Sequence, residues 1–188
     1  MAKKKASAKK QPVKKKAARR FNFDFHVGTG VGHAPKPAVN WISSPNFASR
    51  NSTKIDTLVL HNTDCTLAAA IQRFKNTKEA VSAHYIVDRD GSITQMVNDS
   101  DTAWHAGVKD VNLRSIGIEV VAYSTVTGTT AAQEAKLVAL AQFVLDAYSI
   151  KVQRVLPHRD VKATQCPGWI WANDNIFTTW TGARLRDG

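Results

Sequence analysis

The pattern of apolar and polar positions predicts regular structure from residue 54 onward. The segment KIDTLVLHN (54–62) has the Leu and β-branched residues of a buried strand, which ends at His61. A helix is predicted next, over roughly 65–76. Its apolar residues recur at helical spacing and fall on one face: Leu67, Ile71 and Phe74.

The remaining predicted elements are a hairpin, a strand, a helix and a short strand, which lie over 83–97, 115–123, 129–150 and 153–158. The hairpin turns at Asp90-Gly91, the strongest short-range turn signal in the chain. The second helix opens with a Thr-x-x-Gln capping box at Thr130 and Gln133. This order of elements predicts an α/β fold: a single domain with a mixed central β-sheet flanked by helices.

Composition divides the chain into three parts. Residues 1–20 contain Lys, Arg, Ala and Ser with almost no apolar bulk, and we expect a disordered basic arm. Residues 21–50 mix Gly, Pro and Asn with isolated aromatics, which predicts an irregular segment packed on the domain. Residues 51–188 form the predicted folded domain.

The positive charge belongs to the arm. Residues 1–20 contribute +10 of the formal net charge of +11. Such a cation density attracts polyanions, with an affinity that falls as salt rises. Composition alone leaves the polyanion open between nucleic acid, anionic lipid and lipopolysaccharide. We expect an anionic membrane or lipopolysaccharide as the partner of the arm, and only non-specific binding of nucleic acid.

Nothing in the sequence predicts a membrane span or a secretory signal. No apolar run approaches the roughly 18 residues that a transmembrane helix needs, and the lysine-rich start lacks an apolar core region. We therefore expect a chain that is synthesised in the cytoplasm without a signal peptide, and that is a monomer.

Candidate chemistry lies in LPHRDVKATQCPGW (156–169), where His158 and Cys166 are eight residues apart. By itself this spacing is weak, and a buried histidine with an inert thiol is the simpler interpretation. Together with His61 at a strand end, however, the pair supplies the three N and S ligands typical of a catalytic zinc site. The other cysteine, Cys65, is expected to be a buried structural thiol. A Cys65–Cys166 disulfide is the less favoured alternative in a cytoplasmic chain.

Five motifs in order, LVLHNTD, SAHYIVDRDG, TAWHAG, SIGIEV and PHRDVKATQCPGW, resemble those of the zinc-dependent N-acetylmuramoyl-L-alanine amidases of the type-2 family. This family includes phage endolysins and is related to the peptidoglycan recognition proteins. The resemblance covers about residues 54–170. It implies a peptidoglycan hydrolase with one Zn²⁺ per chain, which cleaves the amide between N-acetylmuramic acid and the L-alanine of the stem peptide.

The resemblance also implies roles for individual residues. His61, His158 and Cys166 match the zinc ligands, and Glu119 matches the general base of one branch. A second branch places a tyrosine at the position of Ala83 in this chain. Tyr85 stands two residues further on, and strand alternation predicts that it shares the face of Ala83. Whether Glu119 or Tyr85 activates the water therefore stays open, with Glu119 preferred.

Four further residues are predicted to contact the substrate or the transition state. Thr164 lies two residues before Cys166, where the family has Lys or Thr, and its hydroxyl is expected to donate to the oxyanion. His105, Asn62 and Tyr85 are the predicted substrate-binding residues, although a structural role for His105 fits almost as well. Asn62 is also a candidate for orienting His61.

The expected biological function is that of a phage lysis enzyme, an endolysin. Its cationic arm would aid access to the anionic cell envelope, and it would act on the cell wall after the membrane is permeabilised. The alternatives are a non-catalytic peptidoglycan-binding module, an intracellular wall-recycling amidase, and nucleic-acid binding by the arm.

Overall fold

The computed structural model describes residues 34–123 and 128–168. The predicted arm, 1–20, and positions 21–33 lie outside these described residues. The strands within them are β1 (Asn40–Trp41), β2 (Phe47–Ser49), β3 (Thr57–Asn62), β4 (Tyr85–Val87), β5 (Ile93–Gln95), β6 (Asp101–Ala103), β7 (Ser115–Val120) and β8 (Val155–Pro157). The α-helices are α1 (Leu67–Lys75), α2 (Lys109–Arg114) and α3 (Ala131–Tyr148).

Six strands form one mixed sheet in the order β1-β5-β4-β7-β3-β8. The predicted hairpin is the antiparallel pair of β4 and β5. All other neighbours in this sheet are parallel. A separate antiparallel pair joins β2 to β6. The predicted fold class, α/β with a mixed central sheet and flanking helices, is confirmed.

The two helices of the predicted pattern cover the sheet from opposite sides. Ala70 and Phe74 of α1 pack with Ile86 in a buried cluster, the α1 cluster, and Ile86 stands beside Glu119 in the register of β4 and β7. α1 therefore lies on the face that carries Glu119. On the other face, the hydroxyls of Tyr148 of α3 and Tyr85 of β4 both donate to Asp99. Tyr85 precedes Ile86 in β4 and therefore points to the opposite face from it. Among the described residues, no helix is both long and apolar enough to cross a bilayer.

The start of α3 follows the prediction only in part. Thr130 caps the helix, because its Oγ1 accepts a hydrogen bond from the backbone N–H of Gln133 at 3.1 Å. The Gln133 side chain does not return to the cap. Its Nε2 donates instead to the carbonyls of Val87 and Val121, at 3.0 and 3.1 Å. The reciprocal half of the predicted capping box is wrong, because this buried amide connects the helix to the sheet.

Residues 34–50 are more ordered than predicted. They contain β1 and β2, which add one edge strand to the main sheet and one strand to the small pair. Arg50 is buried, and its guanidinium donates to the carbonyls of Asp99, Leu113 and Ser115. The prediction of an irregular segment is wrong for these strands, because backbone bonding at sheet edges stabilises them without an apolar run. These strands and Arg50 join residues 34–50 to the rest of the domain, and the boundary at 51 stays a prediction.

Candidate metal and catalytic site

The parallel strands β7, β3 and β8 are neighbours, so their carboxyl ends meet at one edge of the sheet. His61 of β3 stands directly beside Glu119 of β7 in the strand register. Pro157, the last residue of β8, stands beside Leu60, so that His158 follows next to His61. Strand pairing therefore brings together His61, Glu119 and His158, which are far apart in the sequence.

His61, His158 and Cys166 form the predicted cluster. One ligand atom from each lies within 4.8 Å of the other two. The His61 Nδ1 atom is 3.7 Å from the Cys166 Sγ atom, and the two imidazole rings are 4.4 Å apart at their centroids. A tetrahedral zinc ion with Zn–N of about 2.0 Å and Zn–S of about 2.3 Å holds such atoms about 3.3–3.5 Å apart. The donor set and its spacing thus fit zinc after a small closure.

Backbone groups position the sulfur. The N–H of Asn62 donates to Cys166 Sγ at 3.4 Å, which stabilises a thiolate. The N–H of Arg159 donates to the carbonyl of Cys166 at 3.0 Å, and this bond closes the loop between His158 and Cys166. The N–H of Cys166 itself donates to Thr164 Oγ1 at 3.2 Å. The loop therefore folds back on the strand end that carries His61.

Burial holds the groups of the site in their neutral forms. It lowers the pKa of His61 and of His158, with His105 and His158 adding to the effect at His61. Burial, followed by the negative charge of Glu119, raises the pKa of Cys166 to about 12. Metal coordination deprotonates such a thiol outright. The site therefore favours a divalent ion, whose charge compensates a thiolate and a carboxylate.

Glu119 is the acidic group of this site. Its side chain reaches the face that carries His61, and its Oε2 atom is buried with no hydrogen-bond partner in the described part of the chain. Burial raises its pKa to about 8, against a smaller lowering by Arg73. A carboxylate that is desolvated in this way has the proton affinity of a general base near neutral pH.

Tyr85, by contrast, points away from the cluster. It stands beside Ile118 in the register, one residue out of phase with Glu119, and is completely buried. Its hydroxyl donates to Asp99 Oδ1 at 2.7 Å. Ala83 packs in the α1 cluster, on the opposite face from Tyr85. The prediction that these two residues share a face is wrong, because β4 begins at Tyr85 and strand alternation does not extend back to Ala83.

Of the other predicted contact residues, Thr164 and Asn62 lie beside Cys166, and His105 lies beside His61. Thr164 is exposed beside Cys166, and a role as oxyanion donor stays a prediction. Asn62 is buried next to the sulfur, and its side-chain amide donates to the carbonyl of Ala122 at 3.4 Å. A substrate contact by Asn62 also stays a prediction. Cys65, predicted to be a buried structural thiol, is only partly buried against the α1 cluster, and both cysteines are free.

His105 lies behind His61 and is 8% exposed. Its Nδ1 is 3.0 Å from His61 Nε2, and its Nε2 is 3.1 Å from Ser115 Oγ. The neighbouring carbonyl of Ala106 is 3.1 Å from His158 Nε2. Sequence reasoning missed Ser115 and Ala106. The glycine of SIGIEV was an available signal, since a strand glycine often marks the close approach of another group.

A model of the family Amidase_2, described as N-acetylmuramoyl-L-alanine amidase, matches residues 51–169. N-acetylmuramoyl-L-alanine amidase A of Achromobacter lyticus is 40% identical over 81 residues, which are 43% of this chain and 44% of that protein. The 1,6-anhydro-N-acetylmuramyl-L-alanine amidase AmpD of Escherichia coli (strain K12) is 33% identical over 109 residues, 53% of this chain and 59% of that protein. The chain spans about half the length of these curated relatives.

The similarity to solved structures covers more of this chain than the similarity to these curated relatives. A crystal structure of an AmpD derivative superposes with a TM-score of 0.64 at 25% identity, over 83% of this chain and 97% of that one. The endolysin amidase LysCS from Clostridium intestinale gives a TM-score of 0.65 at 23% identity, over 81% of this chain and 98% of that one. At this identity the LysCS comparison shows a shared fold.

Proposed function

Because the chain belongs to the N-acetylmuramoyl-L-alanine amidase family, we propose that it hydrolyses the amide between the lactyl group of N-acetylmuramic acid and the L-alanine of the stem peptide. The observation that carries the proposal is the cluster of His61, His158 and Cys166 beside Glu119, whose buried Oε2 atom has no hydrogen-bond partner in the described residues. Amide hydrolysis needs a polarised carbonyl and a deprotonated water, and these two features serve those needs.

Each residue has a definite task in this reaction. A zinc ion held by His61, His158 and Cys166 would polarise the scissile carbonyl and acidify a water. Glu119 takes a proton from the attacking water and returns it to the leaving amine of L-alanine. The raised pKa of Glu119 suits this role, because the carboxyl must hold the proton between the two steps. Thr164 donates its hydroxyl hydrogen to the developing oxyanion.

The cationic arm favours a lysis enzyme of the endolysin type, which reaches the wall after the membrane is permeabilised. The arm carries +10 of the +11 net charge, and such a segment concentrates a protein at an anionic envelope. Recycling of wall fragments is the second candidate, favoured by the similarity to AmpD, whose name specifies an anhydromuramyl substrate. Hydrolysis of intact sacculi would support the lysis enzyme, and activity confined to soluble anhydromuramyl peptides would support recycling.

Product analysis of purified sacculi tests the activity. We expect new amino groups on L-alanine and no new reducing sugar ends, loss of activity with a chelator, and recovery with Zn²⁺. Glu119→Gln should lower the rate roughly 10²- to 10⁴-fold, as expected when a general base is removed. Glu79→Gln, at an exposed position, is the matched control and should be fully active. New reducing ends, or a fully active Glu119→Gln, would overturn the proposal.

A further inference from the structure

A chain of hydrogen bonds runs from the candidate metal site into the domain interior. His61 Nε2 meets His105 Nδ1 at 3.0 Å, His105 Nε2 meets Ser115 Oγ at 3.1 Å, and Ser115 Oγ donates to the carbonyl of Val111 at 2.5 Å. The two histidines and Ser115 are all buried. The chain therefore links a predicted metal ligand to the last turn of α2 through side chains that are closed to solvent.

The direction of every bond in this chain is fixed by chemistry. A carbonyl only accepts, so the hydroxyl hydrogen of Ser115 goes to Val111, and the Ser115 oxygen accepts from His105 Nε2–H. A neutral imidazole carries one N–H, so His105 Nδ1 is an acceptor and His61 must donate from Nε2. The lone pair of His61 then lies on Nδ1, the atom that is 3.7 Å from Cys166 Sγ.

The same short segment supports the second histidine ligand. The carbonyl of Ala106 lies 3.1 Å from His158 Nε2, which leaves the His158 Nδ1 atom for the metal. Asn112 of α2 fixes the backbone here, because its Oδ1 accepts from the N–H groups of His105 and Ala106 at 3.2 and 2.7 Å. Residues 105–106 thus contact both histidine ligands from behind.

Gly117 of β7 makes room for this arrangement. A Cβ atom at this position would lie 2.5 Å from Cγ and 2.8 Å from Nδ1 of the His105 ring. Real Cβ atoms essentially never approach other heavy atoms so closely, and a side chain here would have to displace the ring. The glycine of the SIGIEV motif is therefore required by space beside His105.

We propose that His105, held by Ser115 and Asn112, is a positioning residue that fixes His61 as the Nε2–H tautomer and so presents Nδ1 to the metal. The proposal rests on the metal site of the proposed function, but not on its substrate. It gives His105 a role different from the substrate binding predicted from sequence. Outer hydrogen bonds of this kind set the ring orientation and basicity of metal-bound histidines.

The test is Zn²⁺ affinity, measured by competition with a chromophoric chelator on the full chain. His105→Ala and Gly117→Ala should each weaken zinc binding roughly 10- to 100-fold, the range found when such outer partners are removed. Ser115→Ala, a much smaller change, should weaken it in the same direction. Leu137→Ala on α3 is the control, because it opens a cavity in the core and should leave zinc affinity unchanged.

A second readout follows the tautomer itself. In the metal-free wild type, ring-nitrogen chemical shifts should show His61 protonated at Nε2, and Ser115→Ala should produce a mixture of tautomers. Wild-type zinc affinity in both His105→Ala and Ser115→Ala, with only KM for the substrate raised, would overturn the proposal. If the variants bind zinc more weakly than the wild type, but the wild type cleaves no peptidoglycan, this proposal stands and the proposed activity fails. A wild type that binds no zinc would overturn both.

Discussion

At the scale of single residues, His84 shows how a histidine can lie near the site and still serve the fold. It is completely buried, and its ring is 5.8 Å from that of His105. Its Nδ1 accepts from the N–H of Gly117 at 2.9 Å, and Nε2 lies 3.2 Å from the carbonyl of Asp101. Burial, followed by the nearby charge of Arg50, lowers its pKa to about 3. The folded protein therefore keeps this ring neutral in mild acid.

This neutral ring should make the protein acid-sensitive. An unfolded histidine binds a proton below about pH 6.5, whereas folded His84 stays neutral down to about pH 3. The contribution of His84 to the free energy of unfolding is therefore complete above pH 6.5, and it is lost as the pH falls from 6.5 to about 3. The slope should be at most about 1.4 kcal/mol per pH unit for this residue.

Denaturant unfolding of the chelator-treated protein between pH 5 and 7 measures that slope. His61 and His105, whose pKa values burial also lowers, should add to it. His84→Gln should have a shallower pH dependence than the wild type, whatever its absolute stability. Equal slopes in the two proteins would contradict the assignment.

At the scale of elements, the sequence predicted a strand correctly where the strand is buried and its residues are therefore mostly apolar. β3 and β7 are buried on both faces, and their apolar runs predicted them well. β1, β2 and β6 were not predicted, because these two- or three-residue strands have neither the apolar run of the equally short β8 nor the Asp-Gly turn that marks β4 and β5. α2 escaped because six residues, Lys109–Arg114, give too little helical periodicity.

The convergence of the site also depended on information that periodicity lacks. Apolar runs predicted that His61 and Glu119 lie on strands, but only the family resemblance indicated that they share a site. His61 and Glu119 stand side by side because β3 and β7 pair in parallel, although the two residues are 58 positions apart in the sequence. The prediction that Tyr85 shares the face of Ala83 was wrong for a related reason. Side chains alternate only within a strand, and β4 starts at Tyr85.

At the scale of the whole molecule, charge is separated from chemistry. Residues 1–20 carry +10, and the remaining 168 residues carry a net +1. The residues of the candidate site all lie in the nearly neutral part. The arm should therefore control where the enzyme concentrates, while the intrinsic rate of amide hydrolysis depends on the domain.

Replacement of the ten basic residues of the arm by glutamine separates these effects. We expect the wild type to bind lipopolysaccharide or anionic vesicles with an affinity that falls steeply with salt, because bound cationic groups release counterions. The neutral variant should lose this binding and still cleave bare sacculi at the wild-type rate. Unchanged vesicle binding would contradict the role of the arm, and tighter selective binding to duplex DNA would favour a nucleic-acid partner.

The central claim is that His61, His158 and Cys166 together hold one zinc ion, and zinc-edge X-ray absorption on the purified full chain tests it most directly. The predicted spectrum has one sulfur at about 2.3 Å and two imidazole nitrogens at about 2.0–2.1 Å. Cys65→Ala should leave that spectrum unchanged, and Cys166→Ser should remove the sulfur shell. A zinc shell without sulfur in the wild type, or a protein that retains no zinc, would contradict the claim.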